Sequence, residues 1–230
     1  MPVVAYTNGT FFPPAHYYPL LAEAGLHFAP GHILTPATVA AQALARKYRR
    51  IMVLGADGTK VPLREAGIEV VDPVPGVGAV DAVLLGWTKD FGASDLEAAA
   101  QAIWAGAPLY ATSIAPYFAS AKGRMLGISG AIAAALHNAT RVSATVFGKP
   151  EVAGLQIVTA LTGIAPSDMA VIGDDPNLEI LMARRAGAFA VGVTTGIADE
   201  AAFAAMPADQ RAHHVVASLE GLASHDWFTQ

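Results

Sequence analysis

The sequence predicts an α/β protein in which short buried strands alternate with helices along almost its whole length. Apolar runs of about four residues recur, for example at residues 3–6, 51–54 and 169–172, and turn residues such as Gly, Asn and Asp follow them. Short apolar runs bounded by turn residues are typical of buried strands. Ala-rich stretches such as residues 94–105 separate them and favour helices. With 53% hydrophobic and 14% charged residues, the chain has ample apolar side chains for a core, which excludes a disordered protein.

The first 140 residues contain five predicted strands and four predicted helices. They are a strand at 3–6, helices at 15–24 and 36–48, strands at 51–54, 69–71 and 81–85, a helix at 94–105, a strand at 109–112 and a helix at 130–137. Thr35 is a favoured N-cap, and Pro36 suits the first position of the helix that follows. Asp57-Gly58-Thr59 is interpreted as a turn at a strand end. The alternation predicts a layered α/β architecture.

The last third of the chain places opposite charges after two consecutive predicted strands. Lys149 follows the strand at 144–147, and Asp174 and Asp175 follow the strand at 169–172, with a helix at 152–161 between them. Ligands of open α/β sheets bind at the carboxyl ends of the strands, so these charges are expected on one functional edge. Carboxylate oxygens suit a hard cation such as Mg²⁺.

A purely structural role for the two aspartates is the alternative. Asp is a favoured N-cap, and Pro176 fits the first position of the helix that continues to residue 186. Taken alone, a capping role for Asp174 or Asp175 is at least as good an interpretation. Lys149 on the same edge favours a binding site.

Thr7-Asn8-Gly9-Thr10 follows the first predicted strand and is a candidate phosphate-binding turn. A Thr hydroxyl, an Asn amide and the free N–H groups of a tight turn are neutral donors that suit phosphate oxygens. Asn-Gly is also a common turn dipeptide, so a plain turn is the alternative. The presence of Lys149 and Asp174 elsewhere favours phosphate.

Four motifs together resemble the haloacid dehalogenase (HAD) superfamily, subfamily IIA, the p-nitrophenyl-phosphatase-like and nucleotide-phosphatase-like branch. Gly148-Lys149-Pro150 and Gly173-Asp174 are similar to its third and fourth motifs in order and spacing. Thr7-Asn8 resembles the second motif, and Thr195-Gly196 resembles a Thr-Gly turn near the C-terminus. The resemblance covers nearly the whole chain. It implies a Rossmann-like HAD core, its first strand apparently missing, at residues 1–49 and 141–230, with an inserted α/β cap domain at 50–140.

The resemblance also implies a Mg²⁺-dependent phosphatase that hydrolyses a small phosphate monoester, a phosphorylated metabolite, through an aspartyl-phosphate. Lys149 and Asp174 would be its catalytic residues. Glu179 stands where the family has a second acid and, being one methylene longer, is expected to orient metal-bound water. The phosphate would be bound by Thr7, Asn8, Gly9 and Lys149, and the metal by Asp174, Asp175 and Glu179.

One element of that chemistry is absent from the sequence. The family's nucleophile motif, Asp-x-Asp, occurs nowhere in the 230 residues. In the family it lies on the first strand, so we expect Met1 to correspond to the interior of a longer chain and expect little or no turnover from the chain as given. The alternatives are a short protein that fills the gap by dimerisation, a non-catalytic phosphate-binding or scaffolding protein on the HAD fold, and a plain doubly wound domain with Asp174 as a cap.

The predicted cap also departs from the family. Ala115 stands where relatives have an acid, in a stretch that is usually similar to Asn-Pro-Asp, so their substrates do not transfer to this chain. Tyr117, Lys122 and Arg124 either face a substrate or lie on the surface, and the surface is the favoured interpretation. His213 and His214 suggest metal binding, but no third ligand at a suitable spacing is evident, which favours a solvated strand start.

Composition excludes several classes of function. A net charge of −5 and no basic stripe argue against a nucleic-acid partner. The absence of cysteine excludes disulfides, thiolate catalysis and Cys-zinc sites. Residues 98–121 are uncharged, but Gly106, Pro108 and Pro116 favour a buried helix, turn and strand over a membrane span. We expect a cytoplasmic protein without a membrane partner.

Overall fold

The computed structural model of the chain describes residues 1–120 and 123–224. The chain divides into two compact units, Met1–Gly148 and Lys149–Gln230. None of the described helices is long and apolar enough to cross a membrane.

The first unit contains nine strands and five helices in its described residues. The strands are β1 (Ala5–Tyr6), β2 (Ile33–Leu34), β3 (Arg50–Leu54), β4 (Glu69–Val71), β5 (Ala82–Leu85), β6 (Leu109–Ala111), β7 (Tyr117–Ser120), β8 (Gly123–Leu126) and β9 (Thr145–Val146). The helices are α1 (Pro14–Glu23), α2 (Pro36–Leu44), α3 (Asp57–Glu65), α4 (Ala93–Trp104) and α5 (Ile128–Thr140).

A five-stranded parallel sheet in the order β4-β3-β5-β6-β9 is the centre of this unit. All four residues of β5 are fully buried, which explains the continuous apolar sequence of the strand, because a parallel sheet is covered on both faces. Side chains of β3 and β5, such as Met52 and Leu85, share a core cluster with Ile103 of α4 and Ile132 of α5. Two smaller sheets accompany it, the parallel pair β1-β2 and the antiparallel hairpin β7-β8.

The second unit is built on a three-stranded parallel sheet in the order β10-β11-β12. Its strands are β10 (Ala170–Gly173), β11 (Phe189–Val193) and β12 (His214–Val216). Its helices are α6 (Ala153–Thr162), α7 (Leu181–Ala186) and α8 (Glu200–Ala204), with 3-10 turns at Pro166–Asp168 and Leu219–Ser224 and a π-helical turn at Pro176–Ile180 that leads into α7. Phe203 is fully buried against Gly192, where a Cβ atom would lie 2.7 Å from its ring.

The predicted α/β class is confirmed. The elements that were predicted differ from the observed ones mainly at their ends, whereas β2, β7, β8 and α8 were not predicted. Strand β1 is limited to Ala5–Tyr6, and α2 ends at Leu44 instead of residue 48. Thr35 is the N-cap of α2, as predicted, and forms a capping box with Thr38. The interpretation of Asp57-Gly58-Thr59 as a turn was wrong, because these residues form the first turn of α3.

The predicted division into a core at 1–49 and 141–230 and a cap at 50–140 stays a prediction. A boundary drawn from compactness does not test which residues belong to a catalytic core.

Candidate functional site

The end of β10 is shaped by a glycine. An added Cβ atom at Gly173 would lie 2.2 Å from Cβ of Glu179, so only glycine lets the π-helical turn fold back this closely over the strand. Glu179 is thereby brought beside the residues that leave the sheet at Asp174 and Asp175. The Gly-Asp-Asp motif and the acid that follows it form one cluster.

Asp174 lies against the turn that contains Thr195 and Gly196. Its Oδ2 atom accepts a hydrogen bond from the N–H of Ile197 at 3.1 Å. A Cβ atom at Gly196 would lie 1.9 Å from the same oxygen, so this position also requires glycine. Two motifs that were identified separately in the sequence therefore meet in the second unit.

Lys149 and Glu179 form a buried ion pair. Their side chains are only 7% and 13% exposed, and Nζ of Lys149 donates a hydrogen bond to Oε1 of Glu179. The second oxygen of Glu179 accepts the N–H of Asp175 at 3.2 Å. Removing one partner of a buried pair typically destabilises a protein by about 3–5 kcal/mol, because the other charge is left uncompensated.

Asp175 does act as a helix cap. Its side chain accepts a hydrogen bond from the N–H of Asn177 at 2.8 Å at the start of the π-helical turn. Burial raises the pKa of the Asp175 carboxyl group, the Asn177 hydrogen bond opposes this, and the nearby Glu179 and Asp174 carboxylates raise it further. The capping alternative thus applies to this residue, and its role as a metal ligand stays a prediction.

The acids at this site fit Mg²⁺ only as a sparse ligand set. Within residues 1–120 and 123–224, no three His, Asp or Glu side chains form a cluster that could hold a metal ion by themselves. Mg²⁺ is commonly bound through one or two carboxylates and keeps several waters or phosphate oxygens. Asp174 fits such a role, because the described residues occupy only its Oδ2 atom. Glu179 fits less well, because both of its oxygens are engaged.

The predicted phosphate-binding turn follows β1 in the first unit. The N–H of Gly9 donates to Oγ1 of Thr7 at 3.1 Å, which closes the turn. Gly148 lies beside it, since a Cβ atom there would be 2.8 Å from Oδ1 of Asn8. Thr7, Asn8 and Gly9 therefore form one group in the first unit, while Lys149 and the acids form another in the second.

Thr10 anchors this turn to the end of β5. Its side chain is 1% exposed, and its Oγ1 atom accepts the N–H of Trp87 at 3.1 Å. The rings of Trp87 and Phe11 are in contact, with centroids 4.1 Å apart. Trp87 was not a candidate from the sequence, because no local pattern links it to Thr10.

Two contacts of the acidic cluster were also missed. Thr195 and Gly196 were the candidates from the sequence, but the group that bonds to Asp174 is the backbone amide of Ile197. Glu179 was predicted as a metal ligand, and in the structure its side chain bonds to Lys149 and the amide of Asp175. The general rule that a buried lysine requires a counter-ion was the one signal that pointed to an acidic partner.

The remaining sequence candidates have local structural roles. Nδ1 of His213 accepts the N–H of Ala190 at 2.8 Å, which places this histidine in the packing of β12 beside β11. The guanidinium carbon of Arg124 lies 4.5 Å from the ring centre of Tyr117, within the β7-β8 hairpin. Lys122 lies outside the described residues.

A separate polar cavity of about 230 Å³ lies in the first unit near the ends of β3 and β5. Nζ of Lys60 in its wall contacts Oδ1 of Asp72 at 2.6 Å, and Asp95 accepts the N–H of Gly92 at 2.8 Å. Several of its polar groups are therefore already satisfied by one another.

Comparison with known proteins gives related families for the first and the last part of the chain. A family model described as haloacid dehalogenase-like hydrolase matches residues 1–69, and one described as HAD-hydrolase-like matches residues 146–222. Human chronophin is 32% identical over 181 residues, which are 75% of this chain and 61% of that protein. The dihydroxyacetone phosphatase of Corynebacterium glutamicum (strain R) is 28% identical over 219 residues, 94% of this chain and 77% of that protein.

Solved structures share the fold. The glycerol phosphate phosphatase Rv1692 of Mycobacterium tuberculosis, in complex with magnesium, superimposes with a TM-score of 0.86 and 27% identity, over 96% of this chain and 66% of that one. The 4-nitrophenylphosphatase of Thermotoga maritima superimposes with a TM-score of 0.87 and 22% identity, over 96% of this chain and 83% of that one. This is a likeness of fold alone. The chain spans 61% of the length of human chronophin.

Proposed function

Since the chain belongs to the haloacid dehalogenase superfamily, we propose that it provides the phosphate and metal site of a Mg²⁺-dependent phosphatase acting on a small phosphate monoester through an aspartyl-phosphate. The observation that carries the proposal is the buried Lys149 held beside the Gly173-Asp174 motif of the second unit. Relatives whose names specify a phosphatase support the reaction class.

The proposed roles follow from the chemistry of each side chain. The ammonium of Lys149 attracts phosphate oxygens, and Asp174 holds the metal, with Asp175 as a further candidate ligand. Mg²⁺, when bound, supplies Lewis-acid polarisation of a phosphate oxygen and neutralises developing charge. Thr7, Asn8 and Gly9 offer neutral donors to the phosphate.

We further propose that these 230 residues give little or no turnover by themselves. They contain no Asp-x-Asp, so no pair of aspartates at the family spacing can form the aspartyl-phosphate and protonate the leaving group. The substrate class of this proposal is a small phosphorylated metabolite, and the chain spans 61% of the length of human chronophin.

Hydrolysis of an aryl phosphate with and without Mg²⁺ tests the proposal. We expect no turnover from the wild-type chain. As variants, Asp174→Asn removes the proposed metal anchor, and Asp168→Asn removes an exposed carboxylate of the same unit as a matched control. The opposite result is Mg²⁺-dependent turnover that is lost in Asp174→Asn and kept in Asp168→Asn. It would mean that another carboxylate serves as nucleophile, and it would refute the proposal that the chain gives little or no turnover.

A non-catalytic phosphate-binding or scaffolding protein on the same fold is the second candidate. The observation that favours it is that Lys149 and the Asp175 amide engage both oxygens of Glu179, which leaves a sparse metal site. Calorimetric titration of inorganic phosphate in the presence of Mg²⁺ tests it. Binding without turnover is expected, and Lys149→Met should weaken it about tenfold to a hundredfold, the range for a charged hydrogen bond. No binding by the folded wild-type chain would reject this candidate and the phosphate site together.

The predicted cellular context is part of the proposal. We infer a cytoplasmic protein whose partner is a small phosphorylated metabolite, with neither nucleic acid nor a membrane as a partner. A homodimer is the proposed assembly, and light scattering of the purified chain distinguishes it from a monomer.

A further inference from the structure

We propose that Glu179 positions Lys149 and does not serve as a metal ligand. This inference rests on the proposed function, because it assigns how the lysine of that phosphate site is held. It also reverses the role that the sequence predicted for Glu179, which was orientation of metal-bound water.

Both oxygens of the Glu179 carboxylate accept hydrogen bonds. One oxygen accepts from Nζ of Lys149 and the other accepts the N–H of Asp175, so both ends of the group are fixed. Binding of Mg²⁺ by Oε1 would have to displace the Lys149 ammonium, because two cations repel each other in a buried site. Binding by the other oxygen would compete with its hydrogen bond from the Asp175 amide.

A close approach at Gly173 brings Glu179 to this position. Gly173 has no side chain at the point where Cβ of Glu179 crosses the strand end, and any larger residue would lie 2.2 Å from that atom. The extra methylene of Glu relative to Asp extends the carboxylate beyond this crossing toward Lys149. Asp174 meets a different partner, the amide of Ile197, so the two acids are directed to separate tasks.

The ammonium of Lys149 is buried, with only 7% of the side chain exposed. Burying a charge is costly unless it is paired and hydrogen-bonded, and Glu179 supplies the opposite charge at Nζ.

The test measures the chemical accessibility of the Lys149 amine and the affinity for Mg²⁺ separately, on the full chain. Native protein is exposed briefly to an amine-acylating reagent, and modification of each lysine is quantified by mass spectrometry. Glu179→Gln keeps the shape and removes the charge, so Lys149 should react at least about tenfold faster, because its side chain is no longer held in place by a charged partner. Mg²⁺ affinity measured by calorimetry should stay within about twofold of wild type, whereas Asp174→Asn should lose it.

Controls separate a local effect from unfolding. Glu151→Gln removes an acid from the exposed pair with Arg185, 3.4 Å apart, and should leave Lys149 unchanged. Lys60, paired with Asp72 in the first unit, reports global unfolding by its own labelling. If Glu179→Gln exposes Lys60 as well, Glu179→Asp takes its place. That variant keeps the charge but withdraws it by one methylene, and Lys149 must still react faster than in wild type.

Two results would overturn the inference. One is unchanged labelling of Lys149 in a folded Glu179 variant, and the other is a loss of Mg²⁺ affinity in Glu179→Gln as large as that in Asp174→Asn. Failure of the proposed function is distinguishable, because a wild-type chain that binds no phosphate would refute it while the labelling result still reports on the Lys149–Glu179 pair.

Discussion

Replacing Gly173 with Ala tests whether the close crossing of Glu179 over the end of β10 builds the acidic cluster. The new Cβ atom would lie 2.2 Å from Cβ and 2.3 Å from Cγ of Glu179, more than an ångström short of the 3.4 Å at which ordinary contact begins. Because Cβ is fixed to the backbone, rotation of the Glu179 side chain cannot relieve the contact. The π-helical turn must therefore move away from the strand.

The size of the effect follows from two possible responses. If the turn shifts and the ion pair with Lys149 survives, the loss is that of an overpacked core, about 1–3 kcal/mol in the free energy of unfolding. If the shift separates Glu179 from Lys149, the loss approaches the cost of breaking a buried pair, about 3–5 kcal/mol. Labelling of Lys149 distinguishes the two responses, since only the second exposes the amine.

Urea denaturation followed by circular dichroism measures the change. Gly92→Ala is the matched control, because a Cβ atom at Gly92 meets nothing within 4 Å. Gly92 is also the N-cap residue of α4, so the control is expected to cost less than about 1 kcal/mol. A Gly173→Ala variant no less stable than Gly92→Ala would refute the argument that position 173 requires glycine.

Three further predictions concern stability. Oγ1 of Thr59 is buried without a hydrogen-bond partner in the described part of the chain, so Thr59→Val should raise the free energy of unfolding by about 1 kcal/mol; a lower urea midpoint would contradict this. Thr35→Ala removes the capping box with Thr38 and should lower the free energy of unfolding by about 1 kcal/mol in the same assay, and an unchanged midpoint would argue against the cap. Burial, followed by the charge of Arg184, lowers the pKa of the His213 imidazole, so below the ordinary value of 6.5 the folded chain binds fewer protons than the unfolded chain. Stability should therefore decline as the pH falls from about 7 through 6.5 toward the lowered folded-state pKa, and urea midpoints across this range should show a flatter decline in His213→Gln.

The strands were predictable because their signal is local. The fully buried β5 was evident from its continuous apolar run, and the cap at Thr35 was evident from its position before Pro36. Asp57-Gly58-Thr59 was misinterpreted for an equally physical reason. Glycine suggested a turn, but in the structure Gly58 allows the first turn of α3 to approach the backbone of Thr10, where a Cβ atom would lie 2.4 Å from the carbonyl oxygen.

The candidate site was predictable in its members and not in its contacts. Lys149 and Asp174 were identified because charged residues after consecutive strands stand out in an apolar sequence, and Glu179 was identified through the family resemblance. Their partners depend on how the chain folds over Gly173 and how the turn at Gly196 meets Asp174, and neither approach has a signature in the spacing of residues.

By itself, therefore, the sequence determined the α/β alternation, the cap of α2 and the presence of acids and one lysine at strand ends, because short-range patterns of polarity and backbone preference fix these features. Only the tertiary structure decided the strand order β4-β3-β5-β6-β9, the capping role of Asp175 and the pairing of Glu179 with Lys149. Such features join residues far apart in the chain, and close packing around particular glycines selects which polar atoms meet.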